Sequence, residues 1–287
     1  MGRRRGGLRG VTEYRRFPPA AALAHVVEHY WSVVSEAPVS EAPIPPAASP
    51  RLAAVLVPNG RPTLQFCLGA PGTRRALDAP PVSNADVYLP VSTRPLVIEQ
   101  EGPSHYVGVQ CTPWGGRALF PQLTGEQPVQ VEDAAGSLPD RRGLAEDPIG
   151  ALDAWLSALG SSPIPQESLL AAAVRRIDAD PSEVEVSALC RELAISASTL
   201  YRAFRRGIGL APKQYIQVMR HRAFTDRLLA ETDGEPAALA AALTGYADQP
   251  HAAREFARFT GMTVSSFRDT YDGIARLMAR TDEVAAH

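Results

Sequence analysis

Two stretches in the second half of this 287-residue chain repeat one another at an offset of 52 residues. Ser196, Arg202, Phe204, Gly209 and Tyr215 of the first match Asp248, Arg254, Phe256, Gly261 and Phe267 of the second. Ser196 and Asp248 are both residues that cap a helix by accepting a backbone N–H bond. Leu200 and Phe204 are four apart, so they share a helix face that can pack inward. Ser198, Tyr201, Arg202 and Arg205 fall on another face. A single amphipathic helix with a few arginines constrains little. Two copies in register specify two small helical units of one design.

The period around them is helical. Leu169, Leu170, Val174 and Ile177 form one apolar stripe, and Val186, Leu189, Cys190 and Leu193 form the next. A helix is predicted over 197–206, stopped by Gly207 and Gly209. Pro212 suits a first helical position, and a long helix follows over 212–231. After an Asp233–Gly234 turn, Pro236 starts a short helix to about residue 244. The pattern reads as two helix-turn-helix units, 186–206 and 236–259, joined by helix 212–231.

Charge is informative only locally. The chain carries a net −2, yet residues 196–222 hold six basic residues and no acidic one. A helix with one face fixed to a core and long polar side chains on the other suits the DNA major groove. This assigns Ser198, Tyr201 and Arg202 to base edges, and Arg205 and Arg206 to bases or phosphates. Arginine matches guanine because its donor fork meets two acceptors at once. In the second copy the outward set is Gln249, Pro250, Ala253 and Arg254, a less polar group with less discriminating power. The plainer alternative for these arginines is a solvated face, and for Arg254 a tie to the linking helix. His251 reads as a packing or capping residue. Lys213, Arg220 and Arg222 fit phosphate or structural roles equally. Leu193, Leu200, Phe204, Phe256 and Phe259 read as core.

The first half is different. Residues 1–165 hold 22 of the 26 prolines, which favours strands and loops over helices. Residues 1–16 read as a flexible basic arm, and a short helix is predicted over 20–30. Strands are predicted over 53–57, 63–68, 87–91, 95–99 and 106–111, bounded by turns such as Pro58-Asn59-Gly60. A helical turn at 114–120, connecting structure over 124–147 and an amphipathic helix over 148–159 complete this part. Residues 161–166 read as a linker. Short strands at this spacing suggest a small barrel or sandwich. Leu64, Phe66, Tyr88, Tyr106 and Val109 would line its interior, serving either an apolar ligand or a plain core.

Catalytic signatures are missing from the sequence. Cys67, Cys111 and Cys190 are far apart and form no C-x-x-C pair. No His-x-His pair, nucleophile elbow, P-loop or dinucleotide fingerprint occurs. His25 and His29 have helical spacing but read as a chance surface pair, and no cationic neighbour activates Cys111. No metal, cofactor or enzymatic activity is therefore expected. No apolar run approaches the ~18 residues of a membrane span, and the few cysteines fit a reducing cytoplasm.

Residues 167–273 resemble the DNA-binding domain of the AraC/XylS family of bacterial transcription regulators. The strings that carry the resemblance are ISASTLYRAFRRGIGLAPKQY and GYADQPHAAREFARFTGMTVSSF. Ala252 stands where the family usually has Phe or Leu, Val264 where it has Pro, and Pro250 brings no polar side chain to a base. The segments FPPAAALAHVVEHYW, VPNGRPTLQFCLG and VGVQCTPWGGRALF resemble the cupin-like sensory domain of some AraC-type regulators. The resemblance implies an α+β chain. A small β-barrel domain for sensing or self-association, 17–160, would precede an all-α DNA-binding domain, 167–287. It further implies a sequence-specific, double-stranded DNA-binding activator in the cytoplasm that recruits RNA polymerase, responds to a small-molecule effector and can form a homodimer. The rivals are a metal- or thiol-dependent enzyme tethered to DNA, and a regulator without an effector.

Overall fold

The computed structural model describes residues 12–35, 51–161, 168–230, 245, 248–265 and 267. The N-terminal part of the expected arm, most of the linker and the expected helix over 236–244 lie outside these residues.

Ten strands form two antiparallel sheets among the described residues. They are β1 (Thr12–Phe17), β2 (Val27–Ser35), β3 (Arg51–Leu56), β4 (Thr63–Cys67) and β5 (Thr73–Arg75). The others are β6 (Val82–Ser83), β7 (Val87–Leu89), β8 (Leu96–Glu101), β9 (Ser104–Cys111) and β10 (Val129–Gln130). One sheet runs β1-β2-β9-β4-β7-β10 and the other β3-β8-β5-β6. The chain crosses between them at Gly102, whose φ of 79° lets β8 turn sharply into β9. The expected closed barrel is therefore not formed. The edge strands β6 and β10 are two residues each, too short to continue a ladder from one sheet to the other.

Two local expectations also change. Thr12–Phe17, of which residues 12–16 fall in the expected flexible arm, is a strand paired along its whole length with Tyr30–Ser35 of β2. Only Ala21–Leu23 in the expected 20–30 helix is helical, as one 3-10 turn. From Val27 the chain is extended, because Val27, Tyr30, Trp31 and Val33 are β-branched or aromatic and fit a half-buried pleated surface.

Four helices belong to this half: α1 (Gly115–Leu119), α2 (Val131–Ala135), α3 (Arg141–Glu146) and α4 (Pro148–Leu159). Asp147 caps α4 by accepting from Gly150 N at 3.1 Å, and Pro148 needs no donor there. Leu152, Trp155 and Leu156 of α4 pack with Leu144 of α3 against Leu64, Phe66, Tyr88 and Val109 of the six-stranded sheet. The Phe66 and Trp155 rings meet edge-on at 5.6 Å.

The second half is helical: α5 (Leu169–Ala179), α6 (Val186–Glu192), α7 (Ala197–Gly207), α8 (Pro212–Ala230) and α9 (Gln249–Thr260). Leu170, Val174, Ile177, Leu189, Leu200, Phe204 and Tyr215 share one core. This core reaches into the first half, taking in Val91 and packing against Trp114. A second core joins Val55 and Val97 of the smaller sheet to Phe224, Phe256 and Phe267. Both helical units are thus docked on the β-rich half.

Candidate functional site

The turn between α6 and α7 is made by Ala194, at φ 52°. This left-handed conformation is uncommon for a residue with a Cβ. Ser196 then starts α7, its Oγ accepting from Thr199 N at 3.1 Å. Leu200 and Phe204 are fully buried and hold the helix by one face. Ser198, Tyr201, Arg202, Arg205 and Arg206 are exposed on the other. Tyr201 is 51% exposed. Among the described residues, Arg202 and Arg206 make no hydrogen bond or ion pair. Arg205 is engaged: its Nη1 donates to Gly209 O at 2.7 Å, closing the end of its own helix.

The second unit copies the cap, the buried aromatics and the closing glycine of this design. Asp248 Oδ1 accepts from His251 N at 2.6 Å, as Ser196 does for Thr199. Phe256 and Phe267 are as fully buried as Phe204 and Tyr215. Gly209 and Gly261 both take positive φ, 100° and 73°. Ala252 is buried in place of Leu200. Pro250, Ala253 and Arg254 are exposed, whereas the side chain of Gln249 is outside the described residues. Arg254 has no partner among the described residues. Arg258 instead pairs with Glu255 at 3.2 Å and lies over the Phe259 ring.

The remaining basic residues divide. Arg220 donates to the Pro181 and Ser182 carbonyls, both at 3.3 Å, which ties α8 to the loop after α5. Arg222 pairs with Asp226 at 3.5 Å, and Lys213 is exposed. His221, not singled out by sequence, is fully buried and stacks on Phe259 with centroids 4.7 Å apart. Burial first, and the Arg258 charge second, lower its pKa to about 3. It is therefore a neutral core residue. Only its position between two basic neighbours on a helix could have pointed to it, and that pattern suggests the surface.

A cavity of about 180 Å3 lies between the two sheets. Of the five residues expected to line it, only Tyr106 does so. Leu64, Phe66, Tyr88 and Val109 point the other way, into the core beneath α3 and α4. The cause is the two-residue period of a strand. Along β4, Thr63 and Gln65 face the cavity while Leu64 and Phe66 face the helices. Apolar residues were assigned to the interior, and the larger interior is the helix-covered face.

Arg61 also lines the cavity, with its side chain 9% exposed. It donates to Glu28 Oε1 of β2 at 2.5 Å, to Asp178 Oδ2 of α5 at 2.7 Å and to the Tyr215 hydroxyl of α8 at 2.8 Å. Burial works against its charge, but Tyr215, Glu28 and Asp178 outweigh that and hold it protonated. One guanidinium therefore joins the cavity wall to two helices of the other half.

No group of three His, Cys, Asp or Glu side chains suited to a metal occurs among the described residues. His29 lies on β2, so the helical spacing that paired it with His25 does not exist. Cys111 is wholly buried, and burial pushes its thiol pKa up, away from the reactive thiolate. No described helix is long and apolar enough to cross a membrane.

Residues 189–270 match the family described as Helix-turn-helix domain, and residues 15–127 match a Domain of unknown function (DUF6597). The comparison with curated proteins yields no match. ToxT from Vibrio cholerae O395 is similar at 10% identity over 78% of this chain and 98% of that one, with a TM-score of 0.48. The DNA-binding domain of AdpA, solved with a target DNA, is similar at 25% identity over 37% of this chain and 94% of that one, TM-score 0.33. The AraC-like transcriptional activator CuxR is similar at 12% identity over 83% and 86% of the two chains, TM-score 0.30. The duplicated capped helices and the helix-turn-helix match across them define a DNA-binding transcription regulator. Its helix-turn-helix region stands behind a β-rich N-terminal region, which carries the second family match.

Proposed function

We propose that this regulator is a sequence-specific activator that acts in the cytoplasm, recruits RNA polymerase and answers to a small molecule held between its two sheets. In this reading α7 is the principal reader of DNA, with Ser198, Tyr201 and Arg202 at base edges and Arg206 on phosphate. Arg205 joins them once its bond to Gly209 opens. Helix α9 contributes Gln249, Ala253 and Arg254, a weaker set. The observation that carries the reading is the outward face of α7, where exposed Tyr201, Arg202 and Arg206 stand over the buried anchors Leu200 and Phe204. A rigid helix with committed inner and uncommitted outer faces is what groove binding requires.

The sensory role would belong to residues 17–160 and the DNA-binding role to 167–287. Arg61 supplies the physical link, since it is at once a wall of the cavity and a ligand of α5 and α8. An occupant that favours one placement of Arg61 shifts the population of arrangements in which the helices meet DNA. Self-association of the β-rich half into a homodimer belongs to the same reading. Genome-wide mapping of sites bound by the full chain, repeated with Arg202→Ala, tests the DNA assignment. Specific peaks that depend on Arg202 are expected, and peaks unchanged by the substitution would overturn it.

A further inference from the structure

Resting on the reading of the inter-sheet cavity as the effector site, we infer that its occupant is an uncharged, ring-sized molecule carrying O–H or N–H donors. The size follows from the cavity, about 180 Å3, since an apolar cavity of ~150 Å3 accepts benzene. Part of the wall is apolar, with Trp31, Val33, Leu56, Leu96 and Ile98. The wall also holds polar side chains buried in the protein interior, among them Gln65, Asn84, Gln100, Tyr106 and Gln110. Burying so many amides is costly unless each finds a partner.

Most of them do. Tyr106 accepts from Gly72 N at 2.9 Å and donates to Gln100 Oε1 at 3.1 Å. Gln100 Nε2 donates to Ala70 O at 3.2 Å, and Gln110 Nε2 to Pro62 O at 3.3 Å. Gln110 Oε1 accepts from Thr63 Oγ1 at 3.4 Å. Two groups remain. Asn84 Oδ1 is buried with no partner. Gln65 uses its Nε2 on the Asn84 carbonyl at 3.1 Å, and its Oε1 accepts from no described residue. Gln65 thus presents an acceptor without a donor, with the unpartnered Asn84 Oδ1 buried in the adjacent residue, and the missing donor defines the ligand.

The charges in the wall exclude the alternatives. A carboxylate would face the Gln65 carbonyl oxygen, and the buried guanidinium of Arg61 is already matched by Glu28 and Asp178, which leaves it only the exposed Arg94, in competition with water. A cation would face Arg61 and Arg94, the charged residues that line the cavity. A site built to hydrogen-bond a donor also discriminates against an analogue that lacks it, because its own polar groups are then left unpaired.

The experiment uses five probes of one size on the full chain at neutral pH: phenol, benzamide, benzoate, benzylamine and toluene. Binding is read by thermal shift and calorimetry, for the wild type and for Gln65→Met, which keeps the side-chain length and removes the acceptor. Phenol and benzamide are expected to raise the melting temperature more than toluene does, with benzoate and benzylamine inert. Gln65→Met should weaken phenol and benzamide about fivefold to tenfold, the loss of one hydrogen bond, and leave toluene unchanged. Benzoate or benzylamine binding as well as phenol would overturn the inference, as would equal phenol affinity in the folded variant. If all five, toluene included, leave the protein unchanged, the effector-site reading itself falls along with it.

Discussion

Arg61 Nη2 stands 2.7 Å from Asp178 Oδ2, across the junction between the β-rich half and helix α5. The same Asp178 accepts from the Tyr215 hydroxyl at 3.0 Å. The side chains of Arg61 and Asp178 are 9% and 25% exposed, so water screens the pair only partly. Removing Arg61 strands Asp178 and Glu28, and removing Asp178 leaves Arg61 with Glu28 alone. Asp178→Ala should cost about 3 kcal/mol in urea unfolding, and Arg61→Met a similar amount. The double variant should cost clearly less than the two together. Strict additivity would mean that the contact does not couple the halves.

Gly60 sits beside this clamp and cannot be replaced freely. Its φ is +74°, and a Cβ there would come within 2.7 Å of Met219 Sδ and 3.1 Å of the Tyr215 ring. Gly60→Ala therefore combines left-handed backbone strain with a clash against α8. A loss of about 1–3 kcal/mol is expected, with a fall in the cooperativity of unfolding if the halves separate. A variant as stable as the wild type would show that the α8 contact yields without cost.

Acid should loosen the structure through buried histidine. His221 is held neutral by burial and by Arg258, with a pKa of about 3, and His29 by burial, Arg16 and Arg222, at about 4. Both lie below the unfolded value near 6.5. Their contribution is therefore fully present above about pH 6.5 and is lost as pH falls toward those folded values. Each adds a slope of up to about 1.4 kcal/mol per pH unit across that window. His221→Leu, which suits the stack on Phe259, should flatten the stability profile between pH 6.5 and 4. An unchanged slope would place the proton uptake elsewhere.

Salt dependence separates the two arginines that end α7. Arg206 has no partner among the described residues, so Arg206→Ala should weaken binding to all DNA alike and reduce the salt slope by about 1. Arg205 is spent on Gly209 O in this arrangement. Arg205→Ala should also weaken binding generally, and in addition lower helix stability slightly. A loss confined to one sequence in either variant would contradict a phosphate role.

What could be read in advance follows from where the physics is local. The repeat was legible because caps, inward phenylalanines and positive-φ glycines are set by residue type, and Ser196/Asp248, Phe204/Phe256 and Gly209/Gly261 play matching parts. Helix α4 was legible for the same reason, from Pro148 and its apolar stripe. The β-rich half was less so. Thr12–Phe17 hides a strand behind three charged residues, because its partner β2 supplies what it lacks. Val27–Tyr30 offers helical spacing until the pairing with β1 and β9 decides otherwise. The cavity was misassigned by strand parity. Gln65 and Gln110 look like surface residues, and only the facing sheet makes their side an interior. Ala194 carries the turn between α6 and α7 without the glycine or asparagine that would signal it.

The central claim is that the outer face of α7 reads sequence. The direct measurement is the affinity of the full chain, wild type and Arg202→Ala, for a selected binding site and for an unrelated duplex at one salt concentration. Arg202 is exposed and has no partner among the described residues, so the variant should fold and melt as the wild type does. The account predicts a loss of about 1–3 kcal/mol on the selected site, with little change on the unrelated duplex. Equal affinity of the two proteins for the selected site would contradict it.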